Sequence, residues 1–351
     1  MPLYLTNLEP ISVSKVIQLR AVKLGMKENE TGHWAKIKEG ILKSGLPLEL
    51  EVRNLIDSIS NKFRLTNHGE YFFELKEGEL PSSVDFKIVS DAVDLGQDFD
   101  FVQIHFLIEC KYRTRNTRWF FVPEPTMDSG DEFFIENIAF KGKIRWENFS
   151  GHADLLGKNF LVGKGVEMAG NGRRYSEGIR DGFYQLSFAA ASHLGTFSIT
   201  PVPSLIKTYQ KSRGINLKNR SFHALVCPML VTNAEILALK NIGISEIERS
   251  GKVEEVAERH DVLLHRSHPS PQIQRYITQS VLKRALESLP SIGLPDFPKE
   301  RVESNVWKLV TFYPSRFYVV KVGALPVFIE DYIAFIRKLT EFAHEQAKKI
   351  S

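Results

Sequence analysis

Residues 99–113, "FDFVQIHFLIECKYR", restrict the fold more than any other stretch. The run is apolar at successive positions, so both of its faces are covered, which is the pattern of a strand buried inside a sheet. It ends in Glu109 and Lys111, two places apart and therefore on one face, while Ile108 and Cys110 share the other. Charges at the end of a buried strand must be solvated by a cleft, paired, or bound to a metal, because leaving them buried alone is costly. The same acid-x-Lys spacing recurs at Glu74/Lys76 and Asp85/Lys87, so the triplet alone carries little. Its place at the end of a core strand reads as the mouth of a site.

The flanking patterns supply layers for such a sheet. "SVSKVIQLRAVKLG" and "GHWAKIKEGILKSG" read as helices, the second with Trp34, Ile37, Ile41 and Leu42 on one stripe and Gly45 as its stop. In "LPLELEVRNLIDSISNKF", Leu48, Val52, Leu55, Ile56 and Ile59 recur at helical spacing, with Glu49 and Glu51 on opposite borders of the stripe. "HGEYFFEL", "SSVDFKIVS" and "TRWFFVPEP" read as strands. Residues 140–175 read as irregular and Gly-rich, "YSEGIRDGFYQLSFAAASHLG" as a helix, "SFHALVCPMLVTN" as a strand and "AEILALKN" as a short helical piece. From about residue 245 the expectation is a charged helix, the amphipathic helix "SPQIQRYITQSVLKRALESL", the strand "RFYVVKVG" and a closing helix. The expected organisation is an N-terminal helical lead over 1–44, an α/β core over 45–240, and an α+β extension over 241–351 packed on the core or forming a small second domain.

Composition excludes several classes. Two cysteines, Cys110 and Cys227, both in apolar segments, rule out a disulfide framework and a CxxC zinc site, and suit a reducing cytoplasm. The start "MPLYLTNLEPISVSKV" lacks a signal-peptide pattern, and no window reaches the roughly 20 apolar residues of a membrane span, so no membrane partner is expected. A formal charge of +4 permits nucleic-acid binding without demanding it.

If the turn in "DAVDLGQDFD" is centred near Gly96-Gln97, antiparallel pairing sets Asp85 opposite Glu109. Like charges across a sheet repel, so the arrangement makes sense mainly with a cation between them. Two close carboxylates and a lysine suit phosphodiester hydrolysis. A hard divalent cation polarises phosphoryl oxygens and activates water, and a lysine steers that water or stabilises developing charge.

"SSVDFKIV", a hairpin and then "FLIECKYR" resemble the PD-(D/E)xK superfamily, the restriction-endonuclease-like nucleases, with an acid on one strand and (D/E)xK on the next. "GLPLELEVRNLI" resembles the family's first core helix, with Glu49 the better match to its acid and Glu51 second, and "YQLSFAA" its later helix, with Gln185 reaching back. The resemblance spans about residues 45–235; the family's proline is absent before Asp85, Pro81 lying four places earlier. It implies a central mixed sheet flanked by helices and Mg²⁺- or Mn²⁺-dependent cleavage of nucleic acid, DNA foremost, in restriction, repair or phage defence. Asp85 and Glu109 would hold metal, Lys111 would position water, and Glu49 and Gln185 would support them. A second copy, or a defence or repair complex, would be a fitting protein partner. The rival reading is a nuclease-like fold that binds or assembles without hydrolysis.

Arg113, Arg115 and Arg118, following Lys111, could track a phosphate backbone or form a solvated loop. Lys164, Arg173 and Arg174 in "VGKGVEMAGNGRRYSEG" could hold a phosphate before a helix, although the spacing is not that of a P-loop. His260, His265 and His268 read as structural or surface histidines.

Overall fold

A computed structural model of the chain describes residues 28–75, 81–91, 93–94, 101–124, 138–139, 161–175, 178–199, 222–267, 270–288 and 316–350. Two compact units divide it, Met1–Pro47 and Leu48–Ser351. The first contains α1, Glu28–Lys43, which stops where Gly45 takes φ 85°, as the sequence leads one to expect. Trp34, Ile37 and Ile41 of its stripe are exposed. The segment 12–25, read above as a helix, lies outside the described residues.

The second unit is built on one large mixed sheet. Helix α2, Leu46–Phe63, buries Leu48, Val52 and Ile56, one side chain per turn, each stabilising the packing by about 1.5–3 kcal/mol. It leads to β1, Leu65–Asn67, and then to β2, Tyr71–Phe73, and β3, Ser82–Val84, which form their own two-stranded ribbon. Next come β4, Phe86–Ser90, β5, Val93–Asp94, β6, Phe101–Lys111, β7, Arg118–Pro123, β8, Ile138–Ala139, β9, Leu161–Met168, and β10, Arg174–Tyr175. The long helix α3, Gly178–Ile199, crosses to β11, Phe222–Thr232, followed by β12, Glu235–Leu239. Two short helices, α4, Ile244–Arg249, and α5, Val253–Val256, precede β13, Ala257–His260, and β14, Val262–Arg266. Helix α6, Pro271–Tyr276, runs through a π-turn at Ile277–Val281 into α7, Leu282–Ser288, and β15, Arg316–Lys321, precedes the closing α8, Leu325–Ile350.

Among the described residues the main path of the sheet is β1-β4-β6-β11-β15-β14-β9-β7-β12-β13, with β5, β8 and β10 paired beside it. Strand β6 is antiparallel to β4 and parallel to β11, and the latter register runs unbroken from Phe101↔Phe222 to Lys111↔Thr232. β14 and β15, from the C-terminal third, lie inside this sheet, β15 next to β11.

Strand alternation sorts the core into two layers. Val102, Ile104, Phe106 and Ile108 join Cys227, Met229, Val231, α2 and the Phe328–Ile336 part of α8 on one face. Leu107, Val226 and Leu230 pack against α3 and α6 on the other. Both faces of β6 are therefore dry, as its continuous apolar run demands.

Four sequence expectations are corrected. "AEILALKN" is strand, not helix: β12 is held between β7 and β13, and two ladders outweigh the helix preference of Ala, Leu and Glu. Of the segment 140–175, residues 140–160 lie outside the described residues and 161–175 contain β9 and β10; a Cβ at Gly165 would lie 2.6 Å from Phe121 Cε1, so glycine there permits the close β7–β9 approach. The charged helix after residue 245 is only the short α4 and α5 before two strands. "SSVDFKIVS" is two strands that break at Asp85. Among the described residues no helix is long and apolar enough to cross a membrane.

Candidate functional site

The break between β3 and β4 sets Asp85 at the start of the hairpin with β6. Phe86 pairs with Ile108, so the same antiparallel register carried one step further sets Asp85 opposite Glu109, as the sequence pattern predicts. The hairpin tip around Gly96-Gln97 lies outside the described residues. Asp85 Oδ2 accepts a 2.6 Å hydrogen bond from the Cys110 amide, which ties the carboxylate to the end of β6.

Glu109 is 3% exposed. Its Oε1 accepts from Lys111 Nζ at 2.6 Å, while its Oε2 is buried without a hydrogen-bond partner. Gln185 Oε1, on α3, accepts from the same ammonium at 2.8 Å. Helix α3 comes this close because position 182 is glycine: a Cβ there would stand 2.5 Å from Leu230 Cδ1 and 3.4 Å from Lys111 Cε. Thr232 Oγ1 donates to the Lys111 carbonyl at 2.8 Å, and Asn233 Oδ1 accepts from the Arg113 amide at 2.6 Å, so β11 fixes the end of β6.

The electrostatics are those of crowded carboxylates. Burial, then Asp85, pushes Glu109 up to about 7, Lys111 opposing. Burial raises Asp85, and burial followed by Asp85 and Glu70 raises Glu49, which sits in the first turn of α2. Asp85, Glu109, Lys111, Gln185 and Glu49 are thus brought to one place, whereas Glu51 is exposed on α2. Glu70 joins the group electrostatically and accepts from Ser83 Oγ across the β2–β3 ribbon. Sequence reasoning missed it, since Glu70 stands outside any strand and no spacing marks it.

The basic residues divide. Arg113 pairs with the buried Glu167 at 2.7 Å and lies over the Trp119 ring, and Arg118 pairs with Glu235 at 2.7 Å. These guanidiniums join β6, β7, β9 and β12. Arg115, Lys164, Arg173 and Arg174 are exposed, with Arg173 over the Tyr175 ring. His265 is buried against Phe183, His260 is half-buried, and His268 lies outside the described residues.

Among the described residues no three His, Cys, Asp or Glu side chains converge as a ligand set for a metal. The pair Asp85/Glu109 nevertheless suits Mg²⁺, which is usually held by one or two carboxylates together with waters and substrate phosphate oxygens. A buried carboxylate oxygen without a partner, beside a second carboxylate, is the donor set a hard cation takes.

Comparison with protein-family models, with curated proteins and with solved structures gives no match for this chain.

Proposed function

We propose that the chain is a Mg²⁺- or Mn²⁺-dependent nuclease of restriction-endonuclease-like architecture that hydrolyses nucleic-acid phosphodiester bonds, DNA foremost. The observation that carries this reading is Glu109: almost wholly buried, facing Asp85, with one oxygen unpartnered and the other held by a lysine that α3 also grips. A structural ion pair needs no second carboxylate, and one so placed raises the energy of the first.

Asp85 and Glu109 would hold the cation, with Glu49 flanking it from α2. When bound, the cation supplies Lewis-acid polarisation of the phosphoryl group and lowers the pKa of water. Lys111 brings a fixed positive charge to the phosphate oxygens, and Gln185 keeps its ammonium from swinging away. The order of elements from α2 through β1, β4, β6 and α3 to β11 supports the family resemblance. With Arg113 and Arg118 engaged by carboxylates, Arg115, Lys164, Arg173 and Arg174 are the better phosphate contacts. The two free cysteines suit the cytoplasm, and a second copy or a defence or repair complex remains the fitting partner class.

The absence of a three-residue ligand set among the described residues favours one rival, a fold that binds nucleic acid without cutting it. Incubating plasmid and linear substrates with Mg²⁺, Mn²⁺ or EDTA separates the two. Metal-dependent cleavage that Glu109→Gln abolishes is the expected result; intact DNA under all conditions overturns the nuclease reading.

A further inference from the structure

A cleft of about 810 Å³ opens on the face of α3 beside the one that grips Lys111. Gly182 and Gln185 turn toward Lys111, while Arg180 and Tyr184, in the same two turns, line the cleft. The acid cluster and the cleft therefore share one helix, whose diameter is about 10 Å. The volume lies in the range of pockets that bury a small organic ligand and is too small to enclose a duplex.

The lining chemistry is specific. Lys164, Arg174 and Arg180 are exposed at its rim, and Asp181 is the one carboxylate among the described residues that line it. Asp181 touches Arg180 only at 3.7 Å between two exposed side chains, a pair too weak to withhold the guanidinium from a phosphate. The walls are aromatic: Phe120 is half-buried and Tyr184 is 45% exposed. The floor is the Phe183–His265 stack, with ring centroids 3.9 Å apart and planes at 18°. Burial holds His265 down to about 4, so the floor is uncharged at neutral pH. Cations at a rim with π-faces within are the means by which proteins hold unpaired nucleic acid: backbone on the charges, bases stacked on the rings.

We propose that this cleft seats an unpaired segment of the nucleic-acid strand, so that the substrate is single-stranded or carries a single-stranded end next to the scissile bond. The proposal rests on the nuclease reading for what happens beyond the cleft, but binding in the cleft needs neither metal nor Glu109. Phosphates sit on Lys164, Arg174 and Arg180, and a base stacks on Tyr184.

The test is fluorescence anisotropy of the full chain in EDTA with labelled oligo-dT, oligo-U and a duplex of equal length. The expected result is tighter binding of a single strand than of the duplex, the two single-stranded probes separating DNA from RNA. Tyr184→Ala weakens single-strand binding about tenfold and Tyr184→Phe restores it, since stacking needs the ring and not the hydroxyl. Lys164→Ala with Arg180→Ala lowers the log–log salt slope by roughly 0.7 for each lost phosphate contact. Equal affinity for duplex and single strand, or wild-type affinity in Tyr184→Ala, overturns the proposal. Metal-dependent cleavage alongside that failure leaves the nuclease reading standing. Single-strand binding through Tyr184 without cleavage in any metal keeps the cleft and removes the nuclease.

Discussion

Strand β6 carries two buried polar clusters on the same face, four residues apart, and helix α3 covers both, yet they are satisfied in opposite ways. At the first, His193 Nε2 and His105 Nδ1 lie 3.1 Å apart, and His105 Nε2 lies 3.1 Å from Gln103 Oε1. Burial holds both imidazoles down, His105 to about 3, so the cluster is neutral and bonded into the core. At the second, Glu109 is nearly as buried, but it faces Asp85 and Glu49, shares one ammonium, and leaves an oxygen unbonded. One cluster is bonded within the chain; the other leaves a carboxylate oxygen without a hydrogen-bond partner, which under the proposed function a divalent cation would take. The difference separates a structural polar network from a site.

The contrast breaks most sharply at Lys111. Lys111→Ala should leave metal bound and reduce cleavage by on the order of a hundredfold or more, as expected for loss of one charge-stabilising group. Single-turnover rates at saturating substrate check this, and a rate within a few-fold of wild type would make Lys111 only an ion-pair partner.

Next in size is Glu109→Gln in the metal-free protein. Glu109 titrates at 4.5 when unperturbed and about 7 when folded, so wild-type stability falls as pH rises between those values. The glutamine variant should be more stable than wild type at pH 8, by no more than about 3 kcal/mol, and have no such advantage at pH 5. Urea melts at the two pH values decide it, and saturating Mg²⁺ should reverse the order at pH 8.

The histidine cluster should respond with the opposite sign. Its imidazoles are held below 6.5, so the stability it contributes is present above that value and lost as pH falls toward about 3. His193→Leu removes the partner of His105 Nδ1 and should cost about 1–3 kcal/mol at pH 7. Cleavage by the folded fraction should be unchanged, and a selective loss of activity would dissolve the distinction between the clusters.

Smallest is Glu49→Gln, at a carboxylate on the border of α2 that is only half-buried. A few-fold weakening of metal affinity is expected by calorimetry, and complete loss would promote Glu49 to a principal ligand.

What the sequence revealed follows from the range of the forces involved. Asp85 opposite Glu109 was readable because strand parity and one hairpin fix it, whereas Gln185 came only from the resemblance of "YQLSFAA" to a family helix, no local pattern tying it to Lys111. β12 was not readable, since its ladders come from Arg118–Phe121 and Ala257–His260, both distant in the chain. The roles of Arg113 and Arg118 depend on Glu167 and Glu235, acids that no local spacing connects to them. Both strands of the β2–β3 ribbon lie in segments that read as strands, but with three residues on each side nothing local shows that they pair with each other, the pairing that sets Glu70 beside Ser83.

The central claim is that Asp85 and Glu109 form an incomplete cluster that a divalent cation completes. Titrating Mn²⁺ into wild type, Asp85→Asn and Glu109→Gln by calorimetry at pH 8 tests it without any substrate. The account predicts saturable binding in wild type that weakens as pH is lowered through about 7, where Glu109 takes up its proton, and is lost in both variants. Undiminished binding in both variants, or none in wild type, would contradict it.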